Sequence, residues 1–289
     1  MKILIQLHYR RVLMGTLLYG LAGFLMFQAT TPEASMLQNV IISLVFVVIV
    51  AVLGFVGVAV FPSFRVVMEL GGVVFLFSAI MQNIWLVTTI PALPDWMITV
   101  GYLVSFALLH QGIYGTWWQK VGLGVSVRLH SRFSTRLSPS KTWSRLVPDE
   151  HNLEAYYTQT LRGFDPVAGI ENRYIQKIGL GQGAVLEVQM DITECTPNKR
   201  FAYRFQAVTN QRNEEFNRGT CVISLAETPD GGTCVEILEI NEKLAVGQAV
   251  LMWIDNLGAQ VGASAVAVLD GGRDFTLLGK LRRDVQALG

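Results

Sequence analysis

The run Ala184–Val208, AVLEVQMDITECTPNKRFAYRFQAV, decides the fold of the second half of this chain. Ala184, Leu186, Val188, Met190 and Ile192 share one face of an extended segment, with Glu187, Gln189 and Asp191 on the other. Thr196-Pro197-Asn198-Lys199 supplies turn chemistry, and Phe201, Tyr203 and Phe205 then alternate with Arg204 and Gln206. A period of two on both sides of a turn predicts two antiparallel strands, Ala184–Cys195 and Arg200–Val208, with one buried face.

The same alternation extends in both directions. Downstream, strands Gly219–Glu227 and Thr233–Glu242 are joined by Thr228-Pro229-Asp230-Gly231-Gly232, a run rich in turn formers. Upstream, Tyr156–Arg162 and Arg173–Ile178 read as shorter strands. The first strand of the series is Val125–Arg136: Val125, Val127, Leu129 and Phe133 alternate with Ser126, Arg128, His130, Arg132, Ser134 and Arg136, so its outer face is basic. Ser138-Pro139 has the form of a helix start, with Pro at the first helical position. A short helix through Trp143 and Leu146 follows, and a second short helix fits the polar stretch after Pro148.

After the strands the period changes. Val246, Val250, Trp253, Ile254, Leu257, Val261 and Ala265 recur every three or four residues, which predicts one long helix to about Leu269. Asp255, Asn256 and Gln260 in its middle set it against a sheet and not in lipid. Gly258 and Gly262 then serve close approach to the strands. A short basic tail with Arg273, Lys280, Arg282 and Arg283 ends the chain. A single sheet must cover its apolar face, and this helix is the element large enough to do so. The fold class is α+β, an antiparallel sheet wrapped on a long C-terminal helix. If the space between them is incompletely filled, Trp143, Tyr203, Phe205, Met252 and Trp253 line a hydrophobic pocket. If it is filled, they form a dry core.

Residues 124–270 resemble the START-like superfamily, also known as the SRPBCC, polyketide cyclase-like or helix-grip fold. The resemblance is carried by Val125–Arg136 with Ser138-Pro139-Ser140-Lys141-Thr142-Trp143, by Thr196–Arg204, and by the hairpin and helix from Gly219 to Leu269. It implies binding or carriage of a lipid, sterol or polyketide. No catalytic motif of that superfamily maps onto positions of this chain. A long polar connection from Val147 to Asn172, and the segment that precedes the domain, depart from its pattern.

That preceding segment has a different solvent. Only 16% of the 289 residues are charged and the mean hydropathy is +0.40. The deficit is concentrated: between Arg11 and Lys120 the charges are Glu33, Arg65, Glu69 and Asp95. Crossing a bilayer takes about 20 apolar residues in a helix. Val12–Gln28, Leu37–Phe61, Val66–Thr89 and Trp96–Trp118 qualify, which predicts a four-span α-helical bundle over residues 1–120 and a separate domain over 121–289. Lys2, Arg10, Arg11, Arg65 and Lys120 all fall on one side, and the connections with Glu33 and Asp95 on the other. By the positive-inside rule both termini are cytoplasmic, as in a multi-pass protein of a bacterial inner membrane. Trp85, Trp96, Trp117 and Trp118 fit aromatic belts. With no ionisable group deep in a span, the bundle reads as an anchor and not a conduction path.

Chemistry-bearing motifs are missing. There is no GxSxG, HExxH, P-loop or dinucleotide fingerprint. Cys195, Cys221 and Cys234 lack zinc or disulfide spacing. No catalytic residue, metal or cofactor is implied, and a net charge of +1 gives no nucleic-acid signature. Asp191 and Glu187 could be an acid pair, but a charged outer face is the plainer account. Arg128, Arg132, Arg136, Lys141 and Arg145 precede the next acid, Asp149. They either hold the domain against anionic lipid or exceed what positive-inside topology needs without further role. Three functions follow: a membrane-tethered domain binding a lipid or other hydrophobic molecule, a module docking a protein partner of a membrane complex, or an enzyme such as a cyclase or dehydratase on a hydrophobic substrate. A carboxylate or His inside the cavity with a perturbed pKa would favour the last.

Overall fold

The computed structural model describes residues 2–31, 33–60, 67–83, 95–115, 117–150, 152–181, 184–208 and 217–287. It divides into two compact units, Met1–Trp117 and Trp118–Gly289.

In the first unit, α1 (Lys2–Thr30) and α2 (Met36–Val60) form an antiparallel pair. Ser35 and Gln38 open α2 with a reciprocal cap, in which Ser35 N donates to Gln38 Oε1 (2.9 Å) and Gln38 N donates to Ser35 Oγ (3.3 Å). Two orphan donors of the helix start are thereby satisfied. A π-turn, Val67–Gly71, runs into α3 (Gly72–Asn83), which packs on α1 through Tyr19 and Phe75. Then comes α4 (Asp95–Tyr114), and the short α5 (Trp117–Lys120) starts at the last residue of this unit. Two helical stretches, Leu7–Thr30 and Met36–Gly57, are long and apolar enough to cross a membrane. Their apolar side chains point outward, Leu17 and Val48 among them.

Among the described residues that is two candidate spans, where the sequence predicts four. The third predicted span is helical as far as Asn83, and Trp85, the second connection with Arg65, and Pro91–Pro94 lie outside the described residues, as do the side chains of Glu69 and Trp96. His8 and Arg11, which precede the first predicted span, are buried in the unit.

The second unit is built on one seven-stranded antiparallel sheet in the order β1-β7-β6-β5-β4-β3-β2. The strands are β1 (Gly124–Thr135), β2 (Leu161–Pro166), β3 (Arg173–Gly181), β4 (Ala184–Thr196), β5 (Arg200–Ala207), β6 (Arg218–Glu227) and β7 (Thr233–Ala245). Consecutive strands pair except for β1, which closes against β7. Asn198 (φ 62°) and Gly231 (φ 77°) take the left-handed conformation that the two hairpin turns require. The inward side chains Met190, Phe201, Ile223, Val235 and Ile237 form one core with Leu146, Leu161, Phe164 and Leu269. Phe201 is fully buried, and a side chain of that size contributes about 1.5–3 kcal/mol.

Helix α6 (Pro139–Leu146) lies between β1 and β2. The first strand of that connection is shorter than Tyr156–Arg162: Tyr156 and Tyr157 sit in turns, Gln159 is left-handed (φ 53°), and β2 begins at Leu161. The second short helix after Pro148 is replaced by these turns. The C-terminal helix is broken into α7 (Val246–Ile254) and α8 (Leu257–Leu269) by Asn256 at φ 51°, a conformation that Asn adopts at low cost. Residues expected as a tail form a third helix, α9 (Leu277–Ala287), packed on β3 and α8.

Two glycines set the distance between α8 and β1. A Cβ on Gly258 would lie 2.6 Å from the His130 carbonyl oxygen, and one on Gly262 would lie 2.6 Å from Ser131 Oγ. The glycine pair therefore serves helix–sheet approach, as its sequence context predicts.

Candidate functional site

The concave face of the sheet carries one cross-strand row of particular chemistry. Register places Leu129 (β1) opposite Glu239 (β7), Glu239 opposite Cys221 (β6), Cys221 opposite Tyr203 (β5), and Tyr203 opposite Ile192 (β4). Strand spacing of about 4.8 Å makes this row roughly 20 Å long. Its middle is polar, although the rows on one side of it, such as Phe133–Val235–Leu225, are apolar.

Glu239 keeps some accessible surface yet lies deep in the domain, as do Tyr157 and Tyr203. Burial pushes the Glu239 carboxyl above its ordinary value, opposed by a hydrogen bond from Asn241 Nδ2 to Oε1 at 2.8 Å. Burial also pushes the Cys221 thiol up to about 12, with a hydrogen bond to Tyr203 acting in the other direction. Tyr156 is 8% exposed; its hydroxyl is raised by burial and shares hydrogen bonds with Gln176 and Tyr157. The charge of Glu239 raises Tyr156, Tyr157 and Cys221 further, which places all four in one electrostatic neighbourhood.

Next to this row a cavity of about 310 Å³ opens to solvent. Trp143, Val147, Pro148, Phe164, Tyr174, Ile192 and Phe201 give it an apolar wall, and Ser144, Asp149, Glu150 and Asn152 a polar rim. Ile192 belongs to both the cavity and the row. Trp143 stands edge-on to Phe201 at 6.2 Å, and Phe164 stacks on Tyr174 at 4.4 Å. The volume is at the lower end of the small-molecule range.

Of the residues singled out from sequence, Trp143, Tyr203 and Phe205 pack against the core on the concave side. Trp143 lines the cavity, Tyr203 belongs to the polar row, and Phe205 also borders a polar concavity of about 410 Å³ with Asp191, Arg204, Arg218 and Glu242. Met252 and Trp253 do not join them: both lie on α7 outside the core cluster, and Trp253 is 58% exposed. The break at Asn256 turns α7 away from the continuation of α8, and with it these two side chains. Arg128 and Arg132 share the outer face of β1, Arg136 is exposed just past its end, and Lys141 is exposed on α6, with Arg145 half-buried. His130 on the same face pairs with Glu236 at 2.6 Å. Asp191 pairs with Arg173 through two hydrogen bonds on the outer face, the plainer of its two sequence readings. All three cysteines are free thiols, with Cys195 exposed and Cys221 buried.

Glu239, Cys221, Tyr156 and Tyr157 are the members that sequence reading missed. The parity of Val235 and Ile237 puts Glu239 on the inward face, but Leu238 and Ile240 make the opposite parity equally apolar. The signal is therefore ambiguous until register is known.

Sheet order, register and the C-terminal helices fit the helix-grip fold. No protein-family model matches the chain, and no curated protein is similar to it. Solved structures that resemble it include a conserved protein from Geobacillus kaustophilus (14% identity, 56% of this chain and 96% of that one, TM-score 0.36). Ara h 8.0201 has 14% identity over 50% of this chain and 96% of its own, with a TM-score of 0.37. The Mll3558 protein from Rhizobium loti has 11% identity over 49% and 98%, with a TM-score of 0.35. The fold assignment rests on strand order and register, not on these likenesses.

Proposed function

We propose that this protein is a membrane-anchored helix-grip domain that binds a lipid or another hydrophobic small molecule. The observation that carries the reading is the cavity of about 310 Å³ with an apolar wall of Trp143, Val147, Phe164, Tyr174, Ile192 and Phe201. An apolar molecule leaving water for such a site gains about 25 cal/mol per Å² of surface buried. The first unit supplies the anchor. In this reading it spans the membrane four times with both termini cytoplasmic, and Arg128, Arg132, Arg136, Lys141 and Arg145 hold the domain near anionic lipid. Tethering keeps the site at high local concentration with respect to a membrane-dissolved ligand.

A second reading, an enzyme acting on a hydrophobic substrate, is favoured by one observation: a carboxyl group and tyrosyl hydroxyls lie together on the concave face with raised pKa values. Native mass spectrometry of the full chain released from lipid nanodiscs tests both. An apolar molecule bound one to one and recovered unchanged supports the binding reading, and its conversion supports the enzyme. A chain that carries nothing and takes up nothing from added lipids moves the weight to a protein-docking module.

A further inference from the structure

Helix α7 turns large apolar side chains to the outside. The exposed residues of α6 include Lys141 and Ser144, and those of α9 include Arg283, Asp284 and Gln286, as a helix with one face in water requires. In α8, which is also uncharged, the one exposed residue is Ala259. Val246–Ile254 carries no charge and a single polar residue, Gln248, yet only Gly247 and Ile254 are buried. Val250 and Trp253 are exposed, and Leu251 and Met252 are half-buried.

A second apolar strip adjoins this helix. Register sets Gly124 against Ala245 and Val125 against Leu244, so α7 starts beside the start of β1, and it packs on both β1 and β7. Leu123 and Val125 are exposed there. Single exposed apolar residues are ordinary, but a group drawn from two neighbouring elements marks an interaction surface.

Three observations commit this corner of the sheet to a bilayer. Leu123 N donates to the Trp118 carbonyl at 3.0 Å, so β1 opens within one turn of Trp118, where the last predicted span ends. No charge occurs in residues 121–127 or 244–254; Lys120, Arg128 and Lys243 flank these runs, with Asp255 the one acid. That balance suits the anionic face of a cytoplasmic leaflet. Trp253, finally, is of the residue type that settles at headgroup level.

We propose that α7 and the start of β1 form a membrane-seating surface, with Val250, Trp253, Leu123 and Val125 entering the interfacial layer of the leaflet and Lys120 and Arg128 among its headgroups. This rests on the reading of the first unit as an anchor and goes beyond it, since a tether alone leaves the domain free to turn. The basic face of β1 attracts the domain over a distance, and the apolar corner fixes which edge of the sheet meets the lipid: β1, not β2. An interfacial helix of this kind enters the leaflet by about 5–10 Å.

The test places one full chain per nanodisc with a lipid that bears a diazirine near the start of its acyl chain, and maps the adducts by peptide. Adducts on residues 246–254 and 121–125 are expected, beside those on Leu7–Thr30 and Met36–Gly57 that the anchor gives. Adducts on the cavity wall, residues 143–147 and 192–205, are read apart from these. Val250→Glu with Trp253→Glu should lower the yield on 121–125 by about ten-fold or more and leave the two spans unchanged. Trp253→Phe should keep it. Unchanged amide exchange in β6 and β7 shows that the double variant is folded; if it is not, the wild-type map decides alone. Adducts on the spans with none on 246–254 overturn the seating surface and leave the anchor standing. Absence of adducts on the spans overturns the anchor reading itself. Loss of the 246–254 adducts when two copies share a disc assigns the surface to a second copy and also overturns the proposal.

Discussion

Glu239 and Cys221 are register partners on β7 and β6, side by side on the concave face of the sheet. Both are titratable, both are shifted towards the neutral form by burial, and the charge of one raises the other. A pair of this kind costs stability when ionised and costs little when neutral.

The sign of the pH effect follows. The folded-state pKa of Glu239 is raised, so the stability that its neutral form confers is present below the unfolded value and lost as pH rises through the folded one. Glu239→Gln should therefore equal the wild type near pH 4 and exceed it at neutral pH. Amide hydrogen exchange of β6 and β7 in nanodiscs reads this locally, where a single melting temperature of a two-unit chain would not. Equal exchange of the two proteins across that range contradicts it.

Asp274 and Arg282 tie α9 to the domain. Arg282 Nη1 lies 3.2 Å from Asp274 Oδ2, Ser264 Oγ donates to that oxygen at 2.7 Å, and Arg282 Nε donates to the Thr158 carbonyl at 3.1 Å. Both side chains are nearly inaccessible. Removing one member of a buried pair strands the other, at about 3–5 kcal/mol. Arg282→Met should release α9 from β3, seen as fast exchange over residues 277–287. Burial alone would raise Asp274, but its hydrogen bonds to Ser264 and Thr276 and the Arg282 charge leave it lowered. Its contribution is present above the unfolded value and fades as pH falls through the depressed folded one, so α9 should loosen in acid.

Gly262 tests the helix–sheet contact. A methyl group placed 2.6 Å from Ser131 Oγ forces α8 away from β1, and overpacking of this kind costs about 1–3 kcal/mol. Gly262→Ala should raise exchange in both α8 and β1. A neutral result would mean that the Ser131 hydroxyl can turn aside.

The basic outer face of β1 should sense lipid charge. Ser134 is exposed on that face beside Arg132 and Arg136, so a fluorophore on Ser134→Cys reports its approach to the bilayer. Quenching by doxyl-labelled lipid is expected in nanodiscs with anionic lipid, and weaker quenching in neutral ones. Each cation near the surface contributes about 1 kcal/mol, so Arg128→Glu with Arg132→Glu should abolish the difference, as should high salt.

Most strands were legible because their alternation is clean. Phe201, Tyr203 and Phe205 against Arg204 and Gln206 leave one choice of face, and the boundaries of β4, β5, β6 and β7 fall within a few residues of expectation. The basic face of β1 and the role of Gly258 and Gly262 were legible for the same reason. The polar row was not, because β7 is apolar on both parities and only pairing with β6 decides which side Glu239 takes. The break at Asn256 was hidden because helical periodicity continues across it, and this misplaced Met252 and Trp253. Arg282 read as a tail charge because nothing local marks a residue whose partners, Asp274 and Thr158, come from other segments. For the first unit, hydropathy reports length and composition, which for α1 and α2 agree with the helices found.

The central claim is that an apolar ligand occupies the concave face of the second unit. Photolabelling the full chain in its native membrane with a diazirine-bearing decanol, followed by peptide mapping, tests it most directly. Adducts are expected on residues 143–147 and 192–205, reduced by excess 2-decanone. Adducts confined to residues 1–117 would assign all apolar contact to the membrane unit and contradict the claim.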